Sequence, residues 1–361
     1  MAKAERQSNI ELLRILAIMG VIVLHYNNPI IGGGITYAEE GSVNFYLLCF
    51  MESLFACEVN LFMLISGYFM CESGKRNLWR PVELIVQVII FRELVYLARV
   101  ALGAAAFSVK TVFTTLISAN YFVILYCAVF ILSPFVNSLI SRLSEKNFRT
   151  LMALSFGVFA IIPTGIDVLG ELRGEQFVGL STVGMYGSQW GYTIVNFMLM
   201  YLIGAYLRKG KSRMMNWASW KLGLLLLVDI LVIVIWARVN DKTGYFTERS
   251  AWEYCNLLII GVAVLVFILF SRIKLGVNKA INMLAEGAFT VFLLHNVFIP
   301  YLQIERFVKG NTFVMILHIL GCAVGLYLLC WCVHKVYHLI TDPMFRKLSD
   351  KHKGFMLAIE P

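Results

Sequence analysis

Three ionisable residues stand in the first apolar stretch of the sequence: Glu11, Arg14 and His25. Arg14 and His25 are eleven residues apart. On an α-helix this is three turns plus about 20°, so both lie on one face, about 16 Å apart along the axis. Glu11 precedes Arg14 by three residues and is its neighbour on that face. The spacing predicts a stripe with an acid and a guanidinium near one end and an imidazole near the other.

The side chains of this stripe can bind anions and move protons. A guanidinium pairs with phosphate or carboxylate oxygens, and an imidazole exchanges a proton near neutral pH. Because ionisable groups inside a bilayer are costly and usually face a cavity or a partner, we interpret the stripe as functional. The alternative is that Glu11 and Arg14 anchor the helix at the interface and that His25 is a structural histidine.

A second deep imidazole is expected at His295, which lies about as far into the ninth predicted span as His25 lies into the first. The sequence does not show whether the two rings share a cavity. Glu58 falls near the middle of the second span. Glu58 could take part in chemistry, or it could be a carboxylic acid that is hydrogen-bonded between helices.

A basic segment follows the second span. Arg76 and Arg80 come shortly after Ser66, on the side predicted to be cytoplasmic. They could meet an anionic substrate, or they could simply fix the orientation of the chain. Both interpretations stay open on the sequence alone.

The composition requires a lipid environment for these residues. Of 361 residues, 59% are hydrophobic and only 15% are charged, whereas a soluble domain carries about 25% charged residues. A chain this apolar cannot cover a surface that faces water. We therefore predict an all-α, polytopic membrane protein of about ten transmembrane helices with both termini in the cytoplasm.

Ten apolar stretches of roughly 17 to 25 residues or more are long enough to span a bilayer. They fall near 10–28, 43–70, 82–103, 120–140, 150–169, 190–207, 219–237, 253–271, 281–301 and 312–338. In this topology Lys and Arg lie about three times as often on the side of the termini as on the other side, in agreement with the positive-inside rule. The net charge of +9 therefore orients helices and does not indicate a nucleic-acid partner. We predict one transmembrane domain over 1–361, with a core near 9–340 and a short basic cytoplasmic tail over 341–361.

The eight cysteines lie in or beside apolar stretches and form no spaced framework, so we expect small buried residues. No metal-ligand spacing is present, and we expect neither a metal nor a permanently bound cofactor. Basic residues precede the first apolar stretch, as in a signal peptide. No small-residue cleavage site follows, so we expect a retained first helix.

Several short motifs resemble, in order, those of the acyltransferase-3 family of bacterial integral-membrane O-acyltransferases. Arg14, ten intervening residues and His25 match the family's pattern in the first span. Further landmarks follow over roughly 9–340: Ser66-Gly67-Tyr68, Arg80-Pro81, Asn120-Tyr121-Phe122, Leu132-Ser133-Pro134-Phe135, Tyr201-Leu202-Ile203-Gly204 and Phe292-Leu293-Leu294-His295. The chain departs from the family in having Glu11 where Asp is frequent, and in a thinner basic segment after the second span.

The resemblance implies transfer of an acyl group, usually acetyl, from cytosolic acyl-CoA to a hydroxyl of a cell-surface glycan, lipid-linked sugar or related acceptor. It also implies a bacterial plasma-membrane location. Expected partners are acetyl-CoA as donor substrate, the glycan acceptor and membrane lipids, but no nucleic acid. A separate extracytoplasmic acetyl-acceptor protein and a homo-oligomer stay open. Because the sequence ends at Pro361, we expect no fused extracytoplasmic hydrolase-like domain of the kind that several family members carry.

The resemblance also suggests a role for each candidate residue. His25 is the expected general base toward the acceptor hydroxyl, with a covalent acetyl-histidine as the alternative. His295 or Glu58 would orient His25 or carry the proton. Four residues are expected to bind the donor: Arg14, Ser66, Arg76 and Arg80.

The main rival interpretation is a transporter or flippase for a lipid-linked sugar or acyl carrier. The buried His, Glu and Arg side chains would then form a proton relay. No repeated halves or paired helix breaks of the transporter kind stand out in the sequence. A non-catalytic scaffold in a cell-wall assembly is a third interpretation, and it predicts that His25 and Arg14 are both dispensable.

Overall fold

The computed structural model describes residues 6–117, 120–175, 177–185, 187–210, 212–243, 248–351 and 356–358. The first eight helices are α1 (Ser8–Asn27), α2 (Gly34–Tyr37), α3 (Val43–Phe55), α4 (Glu58–Met70), α5 (Trp79–Ala101), α6 (Val109–Ile117), α7 (Tyr121–Arg142) and α8 (Glu145–Phe156). The next eight are α9 (Ile162–Arg173), α10 (Ile194–Arg208), α11 (Ser219–Thr243), α12 (Leu257–Ser271), α13 (Lys279–Ala285), α14 (Ala288–Phe298), α15 (Ile304–Val308) and α16 (Thr312–Lys351). The strands are β1 (Lys75–Asn77) and β2 (Met356–Ala358).

Short helical turns complete the described chain. A π-helical turn, Gly157–Ile161, joins α8 to α9. Four 3₁₀ turns lie at Gln189–Gly191, Arg213–Asn216, Glu248–Trp252 and Ile299–Tyr301.

Side-chain caps fix where several of these helices begin. In each case an oxygen of the residue before the helix accepts a backbone N–H of the first turn, which has no partner within the helix. Five residues act in this way: Ser42 before α3, Ser144 before α8, Thr193 before α10, Asn256 before α12 and Asn278 before α13.

The helices confirm the predicted class, an all-α membrane protein that crosses the bilayer several times. Among the described residues, 7 helical segments are long and apolar enough to cross a membrane, or up to 8 if α13 and α14, bent by 55°, form one span. The seven segments are Ser8–Asn27, Val43–Met70, Val109–Arg142, Glu145–Arg173, Ser219–Val239, Ser250–Ser271 and Thr312–Pro343.

The predicted count of ten spans is not confirmed. The third predicted stretch forms α5, which carries charges such as Arg92 and Glu93 and is not one of the seven. The sixth forms α10, which has 15 residues, fewer than the roughly 20 that a straight span needs. Residues 1–5 and 359–361 lie outside the described chain, and the cytoplasmic position of the termini stays a prediction.

The described residues divide into two compact units. The larger comprises the described parts of 1–70 and 143–331, and the smaller those of 71–142 and 332–361. In the larger unit α1 packs against α3, α4, α12, α13 and α14, so the stripe-bearing helix lies among other helices. A single domain over 1–361 stays a prediction.

Helices α4 and α10 approach each other closely in the larger unit. A Cβ on Gly67 would overlap the carbonyl of Tyr201, and a Cβ on Gly204 would overlap the carbonyl of Leu64. Small residues allow such backbone contact between membrane helices. Two of the short motifs noted in the sequence, Ser66-Gly67-Tyr68 and the one that ends at Gly204, therefore pack on each other.

The smaller unit contains the two strands, which the sequence did not predict. β1 pairs with β2 in antiparallel fashion, with Arg76 opposite Leu357. A ladder of three residues between distant segments is too short to show an alternating pattern, so neither strand could be predicted. The predicted tail over 341–361 is in part the end of α16 and in part β2, while 352–355 and 359–361 lie outside the described residues.

Candidate active site

Two imidazoles meet inside the larger unit. Nδ1 of His25, near the end of α1, lies 2.6 Å from Nε2 of His295 in α14. The ring centroids are 4.8 Å apart and the planes differ by 6°. Since the facing nitrogens lie between the centroids, the rings meet edge to edge, nearly in one plane, as an N–H···N hydrogen bond requires.

The second nitrogen of His295 fixes the direction of this hydrogen bond. Nδ1 of His295 lies 2.8 Å from the carbonyl oxygen of Val291, one turn earlier in α14. A carbonyl only accepts, so His295 Nδ1 carries a proton, and in the neutral ring Nε2 is then the acceptor. His25 must donate from Nδ1, which leaves Nε2 of His25 as the proton-accepting nitrogen. This assignment follows from the hydrogen-bond network.

The two rings differ in their access to the surroundings. His295 is fully buried, with 0% of its surface exposed, whereas His25 is half-buried. The side chain of Asn296, an exposed residue, lies beside the His25 ring. His25 can therefore meet a substrate, while His295 can act only through His25.

The end of α1 is held in place by polar contacts beyond His25. The side-chain amide of Asn27 donates to the Leu48 carbonyl, at 3.1 Å, and to Glu52 Oε2, at 3.0 Å. Both acceptors lie in α3 and tie it to α1. The backbone of Gly32 packs against that of His25, since a Cβ on Gly32 would lie 2.6 Å from the His25 carbonyl oxygen. The position of the His25 ring is thus fixed from its own backbone as well as through His295.

Arg14 occupies the other end of the same face of α1. Its Nη1 lies 3.1 Å from Glu11 Oε1, and 32% of its side chain is exposed. Its guanidinium carbon lies 5.9 Å from the ring centroid of Phe69. Glu11 and Arg14 are therefore the adjacent pair that their spacing predicted, and part of the guanidinium edge is available to another anion.

The face between Arg14 and His25 is packed. Ile18 and Val21 lie on it, and only 2% and 5% of their surfaces are exposed. In this conformation the face is not an open groove between the two ends. A long substrate must enter beside this face or displace its packing.

Glu58 lies against a different face of α1. A Cβ on Gly20 would overlap Glu58 Oε1, and Gly20 is five residues before His25, about 140° away around the helix. Glu58 is 4% exposed, and within the described residues its Oε2 has no hydrogen-bond partner. The structure brings Glu58 to α1, but the hydrogen-bond partner of the His25 ring at Nδ1 is His295.

The three other candidate donor-binding residues have different surroundings. Ser66 donates to the carbonyl of Phe62 in its own helix, at 2.7 Å. The side chain of Arg76 is buried, and its Nε donates to Ser133 Oγ at 2.7 Å. Its Nη1 donates to the Ser73 and Lys75 carbonyls.

Arg80 is exposed, with its Nη1 3.2 Å from Glu83 Oε2. Arg76 and Arg80 belong to the smaller unit. Arg76 is thus hydrogen-bonded to other residues of the chain, whereas Arg80 is exposed. The role of each in donor binding stays a prediction.

A third imidazole, which was not predicted from the sequence, lies beside α1. Nδ1 of His318, in α16, lies 3.0 Å from the hydroxyl of Tyr26, the residue after His25. No spacing within α16 relates His318 to α1, so only the tertiary structure could reveal this contact. Asn296 was also missed, because it stands out only through its position beside His25.

A protein-family model described as an acyltransferase domain matches residues 7–335 of the chain. Searches of curated proteins and of solved structures return no match. The matched region spans most of the described chain and contains both histidines of the pair, Arg14 and Glu58.

Proposed function

The chain belongs to the acyltransferase-3 family and is a membrane-bound acyltransferase, and from this premise we propose that it moves an acetyl group from cytosolic acetyl-CoA to a hydroxyl of a cell-surface glycan or lipid-linked sugar. The observation that carries the proposal is the hydrogen-bonded pair of His25 and His295. It presents one accessible imidazole with an unprotonated Nε2, which is what a general base toward a hydroxyl needs.

The pair supports a specific sequence of steps. Nε2 of His25 takes the proton of the acceptor hydroxyl while the hydroxyl oxygen attacks the thioester carbonyl carbon of acetyl-CoA. The bond from that carbon to the CoA sulfur breaks, and the sulfur takes the proton from His25. While His25 is protonated, the lone pair of His295 Nε2 faces its Nδ1–H and stabilises the added charge, as the third member of a catalytic triad does.

Arg14 is the proposed contact for the donor. CoA carries several negative charges and ends in a long, thin arm with the thioester at its tip. A partly exposed guanidinium can bind a phosphate or carbonyl oxygen of such a molecule. The distance along α1 of about 16 Å between Arg14 and His25 separates the donor's charged part from the reacting carbonyl. Because Ile18 and Val21 fill the face between them, binding of the arm requires the packing around α1 to open.

The proposal assigns different roles to the remaining candidates. Arg76 holds the chain through Ser133 and two carbonyls, so we assign it to folding of the smaller unit. Arg80 is exposed and remains a candidate for binding an anion. Ser66 bonds within its own helix, and its hydroxyl would have to rotate to meet the donor.

Comparison of surface glycans tests the donor and acceptor together. Cells that express the chain, cells that lack it and cells that express His25→Gln are grown with isotope-labelled acetate, and their glycans are analysed by mass spectrometry. We expect one glycan fraction to gain an acetyl-sized mass only with the wild-type chain, and to lose it after mild alkaline hydrolysis of the ester. Identical glycan spectra with and without the chain would contradict the proposal. A transporter would instead move an unmodified glycan or carrier.

A further inference from the structure

A thiol, an imidazole and a phenol form a chain of contacts beside the site. Sγ of Cys322 lies 3.4 Å from Nε2 of His318, one turn earlier in α16. Nδ1 of the same ring lies 3.0 Å from the hydroxyl of Tyr26. Two neutral tautomers fit these contacts. In one of them Nε2 accepts from the thiol and Nδ1 donates to the Tyr26 oxygen, and only this tautomer presents a base to the thiol.

The His318 ring is held rigidly in this arrangement. Phe307 stacks face to face on it, with ring centroids 3.6 Å apart and planes that differ by 5°. Tyr26, which is buried, contacts its edge. A nucleophile that is hydrogen-bonded to a base, with the base oriented by a third group, is the arrangement of an activated nucleophile.

Cys322 differs in its surroundings from most other cysteines of the chain. Six of the eight are buried, Cys322 is half-buried and Cys332 is exposed. Cys322 therefore combines a partly exposed side chain with an adjacent imidazole. Cys332, ten residues further along α16, offers a matched control with greater exposure.

The run of α16 places Cys322 between the two ends of the α1 stripe. Tyr26, near the end of α1, meets His318 near the start of α16. Ser8, at the start of α1, bonds Asn282 of α13, and Tyr327 of α16 bonds the Leu284 carbonyl of α13. The helices α1 and α16 thus run in opposite directions, and Cys322 lies on the side of His318 that is nearer to the Arg14 end.

We propose that Cys322 is a covalent acyl acceptor, which takes the acyl group from acyl-CoA before the group passes to the hydroxyl acceptor. The hydroxyl oxygen then attacks the Cys322 thioester in place of acyl-CoA itself, and His25 remains the base for that attack. The inference rests on the proposed function in that it uses the same acyl-CoA donor. Sγ forms a bond to the thioester carbonyl carbon, the bond from that carbon to the CoA sulfur breaks, and the thiol proton passes through His318 Nε2 to the leaving CoA sulfur. The acceptor oxygen then attacks the new thioester, the bond to Cys322 Sγ breaks, and the acceptor proton, taken by His25, ends on Sγ.

The test uses the purified full-length protein in lipid nanodiscs with [1-¹⁴C]acetyl-CoA and no acceptor. Protein-bound label that neutral hydroxylamine releases is measured, and peptide mass spectrometry locates it in the chain with Cys322 unmutated. We expect a thioester on Cys322 in the wild-type protein and in His25→Gln alike, because no acceptor is present and formation of the thioester does not use His25. We expect His318→Gln to slow its formation about 10²-fold or more, the scale of a lost general base. The proposal is overturned if Cys332 alone is labelled, or if Cys322 is labelled neither in the wild-type protein nor in His25→Gln.

Two further variants separate this inference from the proposed function. Cys322→Ala should lose the label and Cys332→Ala should keep it, with thermal unfolding of both measured to confirm that they fold. If Cys322→Ala still acetylates glycans in cells at the wild-type rate, the thioester step is refuted while the acyltransferase proposal stands. If neither protein nor glycan receives label with any variant, the proposed donor itself is wrong, and the inference falls with it.

Discussion

His25 Nδ1 lies 2.6 Å from His295 Nε2, although 270 residues separate the two in the chain. The contact joins the end of α1 to α14, and the Val291 carbonyl completes it at 2.8 Å from His295 Nδ1. Each neutral imidazole carries one N–H. Because the Val291 carbonyl can only accept, it fixes the proton of His295 on Nδ1, and His295 Nε2 then accepts from Nδ1 of His25. The catalytic nitrogen of the proposed mechanism is thereby determined by a backbone carbonyl.

Removal of the buried ring should affect turnover more than donor binding. In His295→Ala the His25 ring loses its orienting acceptor, and the imidazolium loses its stabilising lone pair. We expect kcat to fall about 10²-fold or more, with KM for acetyl-CoA little changed. His334→Ala, which also truncates a buried histidine, is the control and should retain most of the kcat. A fall in affinity with unchanged kcat would place His295 in binding instead.

Arg14 should determine affinity for the donor. Arg14→Lys keeps the charge but loses the planar fork, and Arg14→Ala loses both. We expect KM for acetyl-CoA to rise about tenfold in the alanine variant, which corresponds to about 1.4 kcal/mol, and less in the lysine variant. Glu11→Gln serves as the control, because it removes the competing carboxylate and should leave KM equal or lower. An unchanged KM in Arg14→Ala would remove Arg14 from the donor site.

The close approach of α4 and α10 should make glycine obligatory there. Gly67→Ala places a methyl group on the Tyr201 carbonyl, so the helices must separate and the thermal unfolding temperature should fall by several degrees. Gly325→Ala is the matched control, since a Cβ on this helical glycine meets nothing within 4 Å. It should stabilise the protein by about 0.5–1 kcal/mol through helix propensity. Equal effects of the two substitutions would contradict the close packing.

The two arginines that follow α4 should respond differently to truncation. Arg76→Ala removes the three hydrogen bonds of a buried, charged donor to Ser133 Oγ and to the Ser73 and Lys75 carbonyls, so unfolding of the smaller unit should become easier by about 2 kcal/mol or more. Arg80→Ala removes an exposed ion pair, worth about 0–1 kcal/mol, and should leave stability nearly unchanged. Thermal unfolding of both variants in nanodiscs measures the difference. Equal stability of the two would show that the Arg76 contacts contribute little.

The sequence predicted the class of the fold because that class depends on composition. The apolar runs and the helical spacing of Arg14 and His25 are local properties, so the shared face of α1 and the Glu11 ion pair followed from them. The predicted number of spans was not confirmed, because it depends on the charges within α5 and on the short length of α10. The break between α13 and α14 coincides with Glu286 and Gly287, but one charge and one glycine do not by themselves end a span whose neighbouring residues are apolar on both sides.

The partners of the candidate residues depend on tertiary packing, and the sequence left them open. Both His295 and Glu58 were possible neighbours of His25, and only the position of α14 decides for His295. The sequence likewise could not distinguish Arg76 from Arg80, four residues later. In the structure Arg76 is buried and hydrogen-bonded to acceptors of the same chain, whereas Arg80 is exposed. His318 and Cys322 showed only helical spacing within α16, and they gained meaning through Tyr26 on another helix.

The most direct test of the account measures CoA release from acetyl-CoA by purified His25→Gln, in nanodiscs with the glycan fraction identified as acceptor. Glutamine keeps a polar side chain of similar reach but cannot take up the hydroxyl proton. We predict that the acceptor-dependent rate of His25→Gln falls about 10²-fold or more, while its thermal unfolding temperature stays near that of the wild type. His338, a histidine in the smaller unit, bonds Asp342; His338→Gln is the control and should keep near wild-type activity. A folded His25→Gln protein that releases CoA at the wild-type rate would contradict the assignment of His25 as the base.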